Sequence, residues 1–230
     1  MCNLYRLEKP PEAIRKAFEA QGGLRFPEGI PNFEPRDIRI TDRAPIVRRA
    51  ADGGDALELV ARRWSWPGPT GKPVYNFRSE GRAFGEGRCL VLADAFYEYT
   101  APADPKAKRK DRWRFTMEDG ALFAIAGLVR EAPGIGEAFT LLTTAPGPDV
   151  APYHHRQIVV LTHPMAGNYR IDGGYVDRQG NGQHVVIFDF WEAEATCIGS
   201  VSGVSLRNVT GTKVFDGTKP ASFEVGYRNV

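Results

Sequence analysis

The sequence predicts an α+β fold that is mostly β, and three observations support this prediction. One segment near the N-terminus has the apolar spacing of a helix, and many short segments after it have the composition of β-strands. Turns rich in glycine and proline separate those segments. No internal repeat and no linker divides the chain, so a single domain is expected.

The best predicted helix covers residues 10–21, PPEAIRKAFEAQ. It begins with proline, which suits the first turn of a helix, and Gly22 and Gly23 follow its end. Four apolar residues at helical spacing predict its buried face: Ala13, Ile14, Ala17 and Phe18.

Nine runs rich in β-branched and aromatic residues predict strands in the remainder of the chain. In order, they cover residues 37–41, 45–50, 56–64, 89–100, 112–117, 122–129, 139–145, 157–162 and 184–190. Turn residues predict the connections at 52–55, 67–73, 118–120, 132–136 and 145–149. The glycine-rich segment from Pro164 onward has two open interpretations: a hairpin appendage with a closing strand near residues 222–230, or a segment whose order depends on a partner.

Composition excludes several classes of protein. With 42% apolar and 25% charged residues, the 230-residue chain can bury a substantial core and is not a disordered protein. No apolar run reaches the roughly eighteen residues of a membrane span, and the charged start lacks a secretion signal, so a cytoplasmic protein is expected. The cysteines, Cys2, Cys89 and Cys197, lack the spacing of a disulfide framework or a zinc site, so free thiols are expected, with Cys89 and Cys197 in the core.

Basic residues cluster in two places, although the net charge is only +2. Segment 106–114, KAKRKDRWR, taken by itself favours a solvated hairpin loop over a binding site. Six arginines on neighbouring predicted strands are harder to explain as a solvated face: Arg39, Arg43, Arg48, Arg49, Arg62 and Arg63. Composition therefore neither requires nor forbids a nucleic-acid partner.

Cys2 becomes the first residue of the chain if Met1 is removed, and it then carries an amine and a thiol on adjacent carbons. An α-amine has a pKa of about 7.7–8.0, so a useful fraction is neutral and nucleophilic at cellular pH, whereas a lysine amine has a pKa of about 10.4. An internal cysteine cannot offer this pair of groups to an electrophile. Cys2 is therefore a candidate reagent.

Other candidate residues lie beside predicted strands. Asn76 and Arg78 share one face of a strand, because alternate residues point the same way. Glu98 lies in an otherwise apolar run, where a hydrophobic wall raises the pKa of a carboxyl group toward neutrality. His154 directly precedes an apolar strand. Each also has a structural interpretation: a turn asparagine, a surface arginine, an outward-facing carboxylate on an edge strand, and a capping histidine.

The order of these segments resembles the SOS response-associated peptidase (SRAP) family of abasic-site processing proteins. The matching parts are Cys2, N-x-R-x-E at 76–80, R-C-L-V and F-Y-E-Y within 88–99, F-A-I-A-G-L at 123–128, L-T-T-A at 142–145 and H-x-R at 154–156. Leu4 stands where the family has a DNA-contacting arginine. An ordered set of this kind is more specific than any one motif.

The resemblance implies an SRAP-like core over residues 2–163, with residues 164–230 as a divergent C-terminal part of the same domain. The implied fold is a single domain with few helices and a β-barrel-like core of mixed and antiparallel strands. The implied protein is a monomer that is cytoplasmic, associates with the nucleoid when bound to DNA, and uses no cofactor or metal.

The resemblance also implies a reaction and roles for its residues. The family forms a covalent bond between its N-terminal cysteine and the ring-opened abasic site in single-stranded DNA. By position, Asn76 orients the N-terminal residue, Glu98 moves protons, and His154 assists sugar opening and crosslink reversal. The implied DNA-binding residues are Arg78, weaker phosphate candidates Arg156, Arg48 and Arg49, and Trp64 as a residue that stacks on bases.

Two rival functions stay open at this point. Cys2, Glu98 and His154 can be read as an N-terminal-cysteine peptidase or autoprotease, and removal of Met1 is then the proteolysis. The basic strands can instead be read as a non-covalent single-stranded DNA-binding module in which Cys2 is incidental.

Overall fold

The computed structural model describes residues 2–161, except 20–21, 54–55, 83, 103–104, 107 and 118–119, and the backbone of 184–188 and 195–200. This part of the chain contains one helix and seventeen strands. In chain order they are β1 (Leu4–Leu7), α1 (Pro11–Ala17), β2 (Leu24–Arg25), β3 (Arg36–Arg39), β4 (Arg43–Arg49), β5 (Leu57–Trp64), β6 (Trp66–Pro67), β7 (Pro73–Val74), β8 (Asn76–Arg78), β9 (Arg88–Ala93), β10 (Ala95–Thr100), β11 (Asp111–Phe115), β12 (Phe123–Ala132), β13 (Gly136–Thr144), β14 (Gln157–Ile158), β15 (Val160–Leu161), β16 (His184–Phe188) and β17 (Ala195–Ser200).

Five strands close into a barrel. β12 pairs antiparallel with both β13 and β9, β9 pairs antiparallel with β4, and β4 pairs antiparallel with β5. β5 and β13 then pair in parallel, with Phe139 opposite Trp64, and this pairing closes the ring. The predicted β-barrel-like core of mixed and antiparallel strands is therefore confirmed. Closure satisfies the strand edges that an open sheet would leave unpaired.

The barrel wall is buried on both faces. In β9, every residue from Cys89 to Ala93 is fully buried, so one face lines the interior and the other lies under further elements. Cys89 is thus the core residue that the sequence predicts. Gly127 of β12 lies directly opposite Cys89, and a Cβ there would lie 2.9 Å from the Cys89 Sγ and 2.9 Å from the Thr140 carbonyl oxygen. Glycine is therefore required at this close approach of three strands.

A second, antiparallel sheet holds the N-terminus. Its strand order is β11-β10-β1-β3, so β1 is a central strand, with Tyr5 between Phe96 and Ile38. The sequence did not predict β1, because its four residues are too short a run to show an alternating pattern. Tyr5 and Leu7 are nevertheless almost fully buried, so β1 is anchored in the core.

Asp94 divides a predicted single strand into two. The run predicted over 89–100 is β9 in the barrel and β10 in the second sheet. At the division, the Asp94 backbone amide donates to the Arg6 carbonyl oxygen over 2.8 Å, and its Oδ2 accepts from the backbone amides of Glu8 and Lys9. The side chain thereby holds the end of β1 against the point where the chain changes sheets.

The predicted helix is present but shorter than residues 10–21. α1 ends at Ala17, and the backbone amide of Gly23 returns to the Phe18 carbonyl oxygen over 2.9 Å. Gly22 and Gly23 have φ angles of +86° and +81°, the left-handed conformation that glycine adopts at little cost. Ile14 and Phe18 of the predicted apolar face are fully buried.

Toward the C-terminus, two predictions are refined. The run predicted over 157–162 is two short strands, β14 beside β13 and β15 beside β12. The run predicted over 184–190 is β16, which pairs antiparallel with β17. The predicted boundary at 163/164, the core position predicted for Cys197 and the strand predicted near 222–230 concern residues or side chains outside the described part. The helix in the described part of the chain is not long and apolar enough to cross a membrane.

Candidate active site at the N-terminus

Cys2 is held just before β1 by contacts at both its backbone and its side chain. Its carbonyl oxygen accepts a hydrogen bond from the Asn76 Nδ2 over 2.8 Å. Its Sγ donates to the Leu4 carbonyl oxygen over 3.3 Å. Only 1% of the residue is exposed, so its position is fixed by the surrounding fold.

Asn76 connects this residue to the barrel. Strand β8 lies parallel to β13, with Asn76 opposite Leu141, and so continues the edge of β13 beyond its pairing with β5. The Asn76 Oδ1 is buried and has no hydrogen-bond partner among the described residues. A buried acceptor of this kind costs free energy unless a group reaches it, so it is suited to a donor brought by the reaction.

The Cys2 thiol is protonated in this environment. Burial raises its pKa to about 12, and the nearby negative charge of Glu98 acts in the same direction. At neutral pH the thiol is therefore a poor first nucleophile, because the thiolate is the reactive form.

Glu98 has the properties of an acid or base that works near neutrality. It lies on β10, is 2% exposed, and burial raises its pKa to about 7. The charge of Glu98 in turn raises the pKa of the Cys2 thiol, so the two side chains lie close enough to interact. A carboxyl group with a pKa near the working pH can both donate and accept a proton.

His154 lies in the turn between β13 and β14. Its backbone amide donates to the Val150 carbonyl oxygen over 2.9 Å, and its ring stacks on that of His155 at 4.4 Å. Its Nδ1 lies 3.0 Å from the backbone nitrogen of Arg156 and 2.9 Å from the Arg156 carbonyl oxygen, so either neutral tautomer finds a partner there. Burial lowers the pKa of His154, although the hydrogen bond to the Arg156 backbone acts in the opposite direction. The ring is therefore neutral at neutral pH.

The residues thus come together around the start of the chain, although they are far apart in sequence. Asn76 binds Cys2 directly, and the charge of Glu98 raises the pKa of the Cys2 thiol. His154 follows Tyr153, which packs against the sheet that carries Glu98. Among the described residues, no group of three or more histidine, cysteine, aspartate and glutamate side chains is placed to hold a metal ion. Once Met1 is removed, the arrangement offers an aminothiol, an amide, a carboxyl group that titrates near neutrality, and a neutral imidazole.

A protein-family model described as SOS response associated peptidase (SRAP) matches residues 1–172 of the chain. The protein belongs to the SRAP family. The family predicted from the ordered motifs is therefore confirmed, and a DNA-damage-associated SRAP function follows from the membership.

Solved structures share the fold. A protein from Bordetella bronchiseptica has 23% identity and a TM-score of 0.52, with 70% of this chain and 83% of that chain covered. A protein from Bacteroides thetaiotaomicron has 15% identity and a TM-score of 0.50, with 70% of this chain and 77% of that chain covered. A phage-related protein from Bordetella bronchiseptica has 22% identity and a TM-score of 0.52, with the same coverages of 70% and 77%. No curated protein matches this chain.

In this SRAP protein, Arg156 is part of a buried ion pair. Its guanidinium group binds both carboxylate oxygens of Glu80, one of them over 2.9 Å, and also donates to the carbonyl oxygen and Oγ1 of Thr143. Glu80 and Thr143 lie in the N-x-R-x-E and L-T-T-A motifs, but the sequence alone assigned them no role. The signal that could have identified them is their membership of the same ordered set of motifs as Arg156.

The other three arginines predicted to bind DNA differ in how accessible their side chains are to a phosphate group. Arg78 is exposed at the end of β8, and Arg49 is half-buried. Arg48 binds Glu58 over 2.8 Å and also binds Glu137, so its charge is already matched inside the protein. A phosphate contact is thus most accessible to Arg78.

Trp64 is a core residue of the SRAP barrel. Its side chain is fully buried, its Nε1 donates to the Tyr75 carbonyl oxygen over 2.9 Å, and Tyr5 packs against its ring at a centroid distance of 5.2 Å. A DNA base cannot stack on this ring while the core is intact. The sequence pattern did not separate the two roles, because a buried and a base-stacking tryptophan look alike in a strand.

Proposed function

We propose that this SRAP protein is a sensor of abasic sites in single-stranded DNA, and that it captures them as a covalent thiazolidine crosslink through Cys2. The observation that carries the proposal is the hydrogen bond from Asn76 to the Cys2 carbonyl, which holds the aminothiol residue beside a carboxyl group with a pKa of about 7. Removal of Met1 by hydrolysis is the step that frees the α-amine.

The two nucleophiles act in a definite order. An α-amine has a pKa of about 7.7–8.0, so part of it is neutral at cellular pH. Burial raises the pKa of the Cys2 thiol to about 12, so the thiol is protonated under the same conditions. The amine therefore attacks first, and the thiol reacts only once an electrophilic carbon has formed beside it.

The bond changes balance with one molecule of water released. The amine nitrogen attacks the C1′ aldehyde carbon of the ring-opened sugar, and the resulting carbinolamine loses water to give an imine. That imine is protonated on nitrogen, and the thiol sulfur then adds to its carbon while the thiol proton passes to a carboxylate, which closes a five-membered thiazolidine ring. Ring closure is favoured because sulfur and nitrogen are joined through two carbons, at a high effective molarity.

The neighbouring residues support these proton transfers. Glu98 protonates the hydroxyl group that leaves as water and accepts the thiol proton afterwards, since its pKa of about 7 allows both steps. Asn76 orients Cys2 through the carbonyl, and its buried Oδ1 is available to accept from the α-amine. His154, neutral because burial lowers its pKa, accepts a proton during opening of the sugar.

The rival readings make different demands on the same residues. An N-terminal-cysteine peptidase uses the thiol as its first nucleophile, which the raised pKa of Cys2 disfavours. A non-covalent DNA-binding module does not need a buried cysteine fixed by Asn76. The covalent mechanism uses the buried cysteine fixed by Asn76, and it is compatible with the raised thiol pKa because the amine reacts first.

The test is incubation of the purified protein with a single-stranded oligonucleotide that carries one abasic site, followed by a denaturing gel and intact-mass analysis. The expected adduct has the mass of the protein without Met1 plus the oligonucleotide minus one water. Cys2→Ser is expected to give only an imine that borohydride traps, and Cys89→Ala, the matched control at a buried cysteine, is expected to crosslink like the wild type.

Two outcomes would overturn the proposal. One is a wild-type protein that lacks Met1 and forms no adduct, and the other is an adduct of Cys2→Ala that survives denaturation without borohydride. Intact-mass analysis also tests autoproteolysis, because loss of Met1 from Cys2→Ala would mean that the cysteine is not needed for that cleavage.

A further inference from the structure

Trp113 is an exposed aromatic side chain that the fold holds in place. Trp113 and Ile30 are the large apolar residues that stay exposed in the described part of the chain, and Trp113 is 40% exposed. Its Nε1 donates to the Thr100 Oγ1 over 2.9 Å, and its ring lies 4.4 Å from the ring of Tyr153. Both contacts restrict the ring, so it presents a surface already ordered before any ligand arrives.

This aromatic pair, Trp113 and Tyr153, lies at the rim of the candidate active site. Trp113 is directly opposite Glu98 in the antiparallel pairing of β10 and β11. Directly opposite residues place their side chains on the same face of a sheet, with Cβ atoms about 5 Å apart. Tyr153 immediately precedes His154. The pair is therefore next to two of the proposed catalytic residues.

A row of contacting aromatic rings connects the pair to the barrel. Tyr153 lies 5.5 Å from Phe115, and Phe115 stacks on Phe96 at 4.8 Å. Phe96 in turn meets Phe123 of the barrel at 6.4 Å. The exposed end is thus continuous with the core, which makes it a rigid platform.

Charge around the pair indicates what it binds. Exposed cations immediately precede β11 in the chain: Lys108, Arg109 and Lys110. An exposed aromatic ring on a strand that directly follows several exposed cations suits a nucleotide, which offers a base to stack and a phosphate to bind, better than it suits an apolar peptide. Segment 106–114, whose composition alone favours a solvated loop, acquires this second interpretation from its place beside the site.

We propose that Trp113 and Tyr153 form a stacking platform for the base that flanks the abasic nucleotide, and that the cations of 108–110 bind the neighbouring phosphates. The inference rests on the proposed function, because it takes the strand at this site to be single-stranded DNA. A base held on the platform positions the adjacent, baseless sugar over Cys2 and Glu98.

The test uses tetrahydrofuran, an abasic analogue without an aldehyde, at the centre of a fluorescent single-stranded oligonucleotide. In one oligonucleotide, adenines flank the central analogue on both sides. In a second, tetrahydrofurans replace those flanking adenines, so no base is available to stack. Trp113→Ala is expected to weaken binding of the first by about fivefold or more, as for loss of one stacked base. Binding of the second is expected to change by less than about twofold.

Two control variants complete the design. Trp113→Phe retains a ring and is expected to recover most of the affinity, and Ile30→Ala, the other exposed apolar residue, is expected to have no effect. Replacing Lys108, Arg109 and Lys110 with alanine is expected to reduce the slope of log affinity against log salt by about 2. Equal losses on both oligonucleotides, or no loss on the first, would refute the platform.

The outcome is separable from that of the proposed function. Binding to tetrahydrofuran requires no covalent chemistry, so it is measured independently of crosslinking. If the wild type discriminates between the two oligonucleotides through Trp113 but never crosslinks, the stacking platform is supported and the crosslinking proposal is refuted. Trp113→Ala at saturating concentration is expected to crosslink to completion if only the platform has been removed.

Discussion

The Asn76 Nδ2 donates to the Cys2 carbonyl oxygen over 2.8 Å, across 74 positions of sequence. Asn76 belongs to a strand that pairs with the barrel, whereas Cys2 leads into the central strand of the second sheet. This hydrogen bond therefore links the start of the chain directly to the barrel. The position of the reactive residue depends on both sheets being assembled.

Asn76→Ala is expected to slow crosslinking by about two- to tenfold, the range for loss of one hydrogen bond of net 0.5–1.5 kcal/mol. The measurement is the single-turnover rate of adduct formation with an abasic oligonucleotide. Asn76→Asp separates the two ends of the amide, because aspartate keeps an acceptor but cannot donate to the Cys2 carbonyl. A rate unaffected by Asn76→Ala would mean that Cys2 is held in place without this bond.

Glu98→Gln is expected to change how stability depends on pH. The folded-state pKa of Glu98 is raised from 4.5 to about 7, so the folded protein retains a proton that the unfolded chain releases. The stabilisation is complete below pH 4.5 and is lost as the pH rises through 7. Relative to Glu98→Gln, the wild type should therefore lose up to about 3 kcal/mol of unfolding free energy over this interval.

Urea unfolding of both proteins at pH 4 and pH 8 measures this loss. At each pH, the unfolding free energy of Glu98→Gln is subtracted from that of the wild type. The two differences are then compared, because any pH-independent effect of the substitution cancels. A difference that stays constant with pH would show that Glu98 titrates like an exposed carboxylate.

Arg156 and Arg78 are expected to respond oppositely to alanine substitution. Arg156→Ala leaves Glu80 partly buried and without its main partner, so a loss of about 3–5 kcal/mol in unfolding free energy is expected. Although burial by itself would raise the pKa of Glu80, the hydrogen bonds from Arg156 hold it below its ordinary value. Arg78 is exposed, so Arg78→Ala should leave stability unchanged.

For Arg78→Ala, the effect should instead appear in DNA binding. Affinity for single-stranded DNA should fall uniformly across sequences, and the salt slope should decrease by about 1. Thermal unfolding and anisotropy titrations at several salt concentrations measure the two effects on both variants. A loss of stability in Arg78→Ala but not in Arg156→Ala would contradict the assignment of Arg156 to the folded structure and of Arg78 to DNA binding.

Gly127→Ala is expected to destabilise the barrel by about 1–3 kcal/mol, the usual cost of overpacking a core. The added Cβ would lie 2.9 Å from the Cys89 Sγ, the Thr140 carbonyl oxygen and a Val91 methyl group. Chemical denaturation measures the loss. Cys89→Ala in the same chain should recover only part of it, because the contact with the Thr140 backbone remains; full recovery would mean that the backbone moves aside.

Some elements could be predicted from the sequence because their signals are local. The runs at 45–50 and 56–64 correspond to β4 and β5, and the helix begins at the predicted prolines. β1 and β8 are too short to show a pattern, and they form because neighbouring strands supply their hydrogen bonds. The change of sheet at Asp94 is likewise a property of the packed strands, since the apolar run continues through it.

The chemical groups of the candidate site were determined by the sequence alone, because the aminothiol, the amide, the carboxyl group and the imidazole are named by residue type and motif order. Tertiary structure decided which of the basic and aromatic residues can meet a ligand. Arg156 reaches Glu80 across 76 positions, Trp64 is enclosed by the barrel, and Trp113 remains exposed opposite Glu98. Burial and ion pairing arise from contacts between segments that are distant in the chain, so no local pattern contains them.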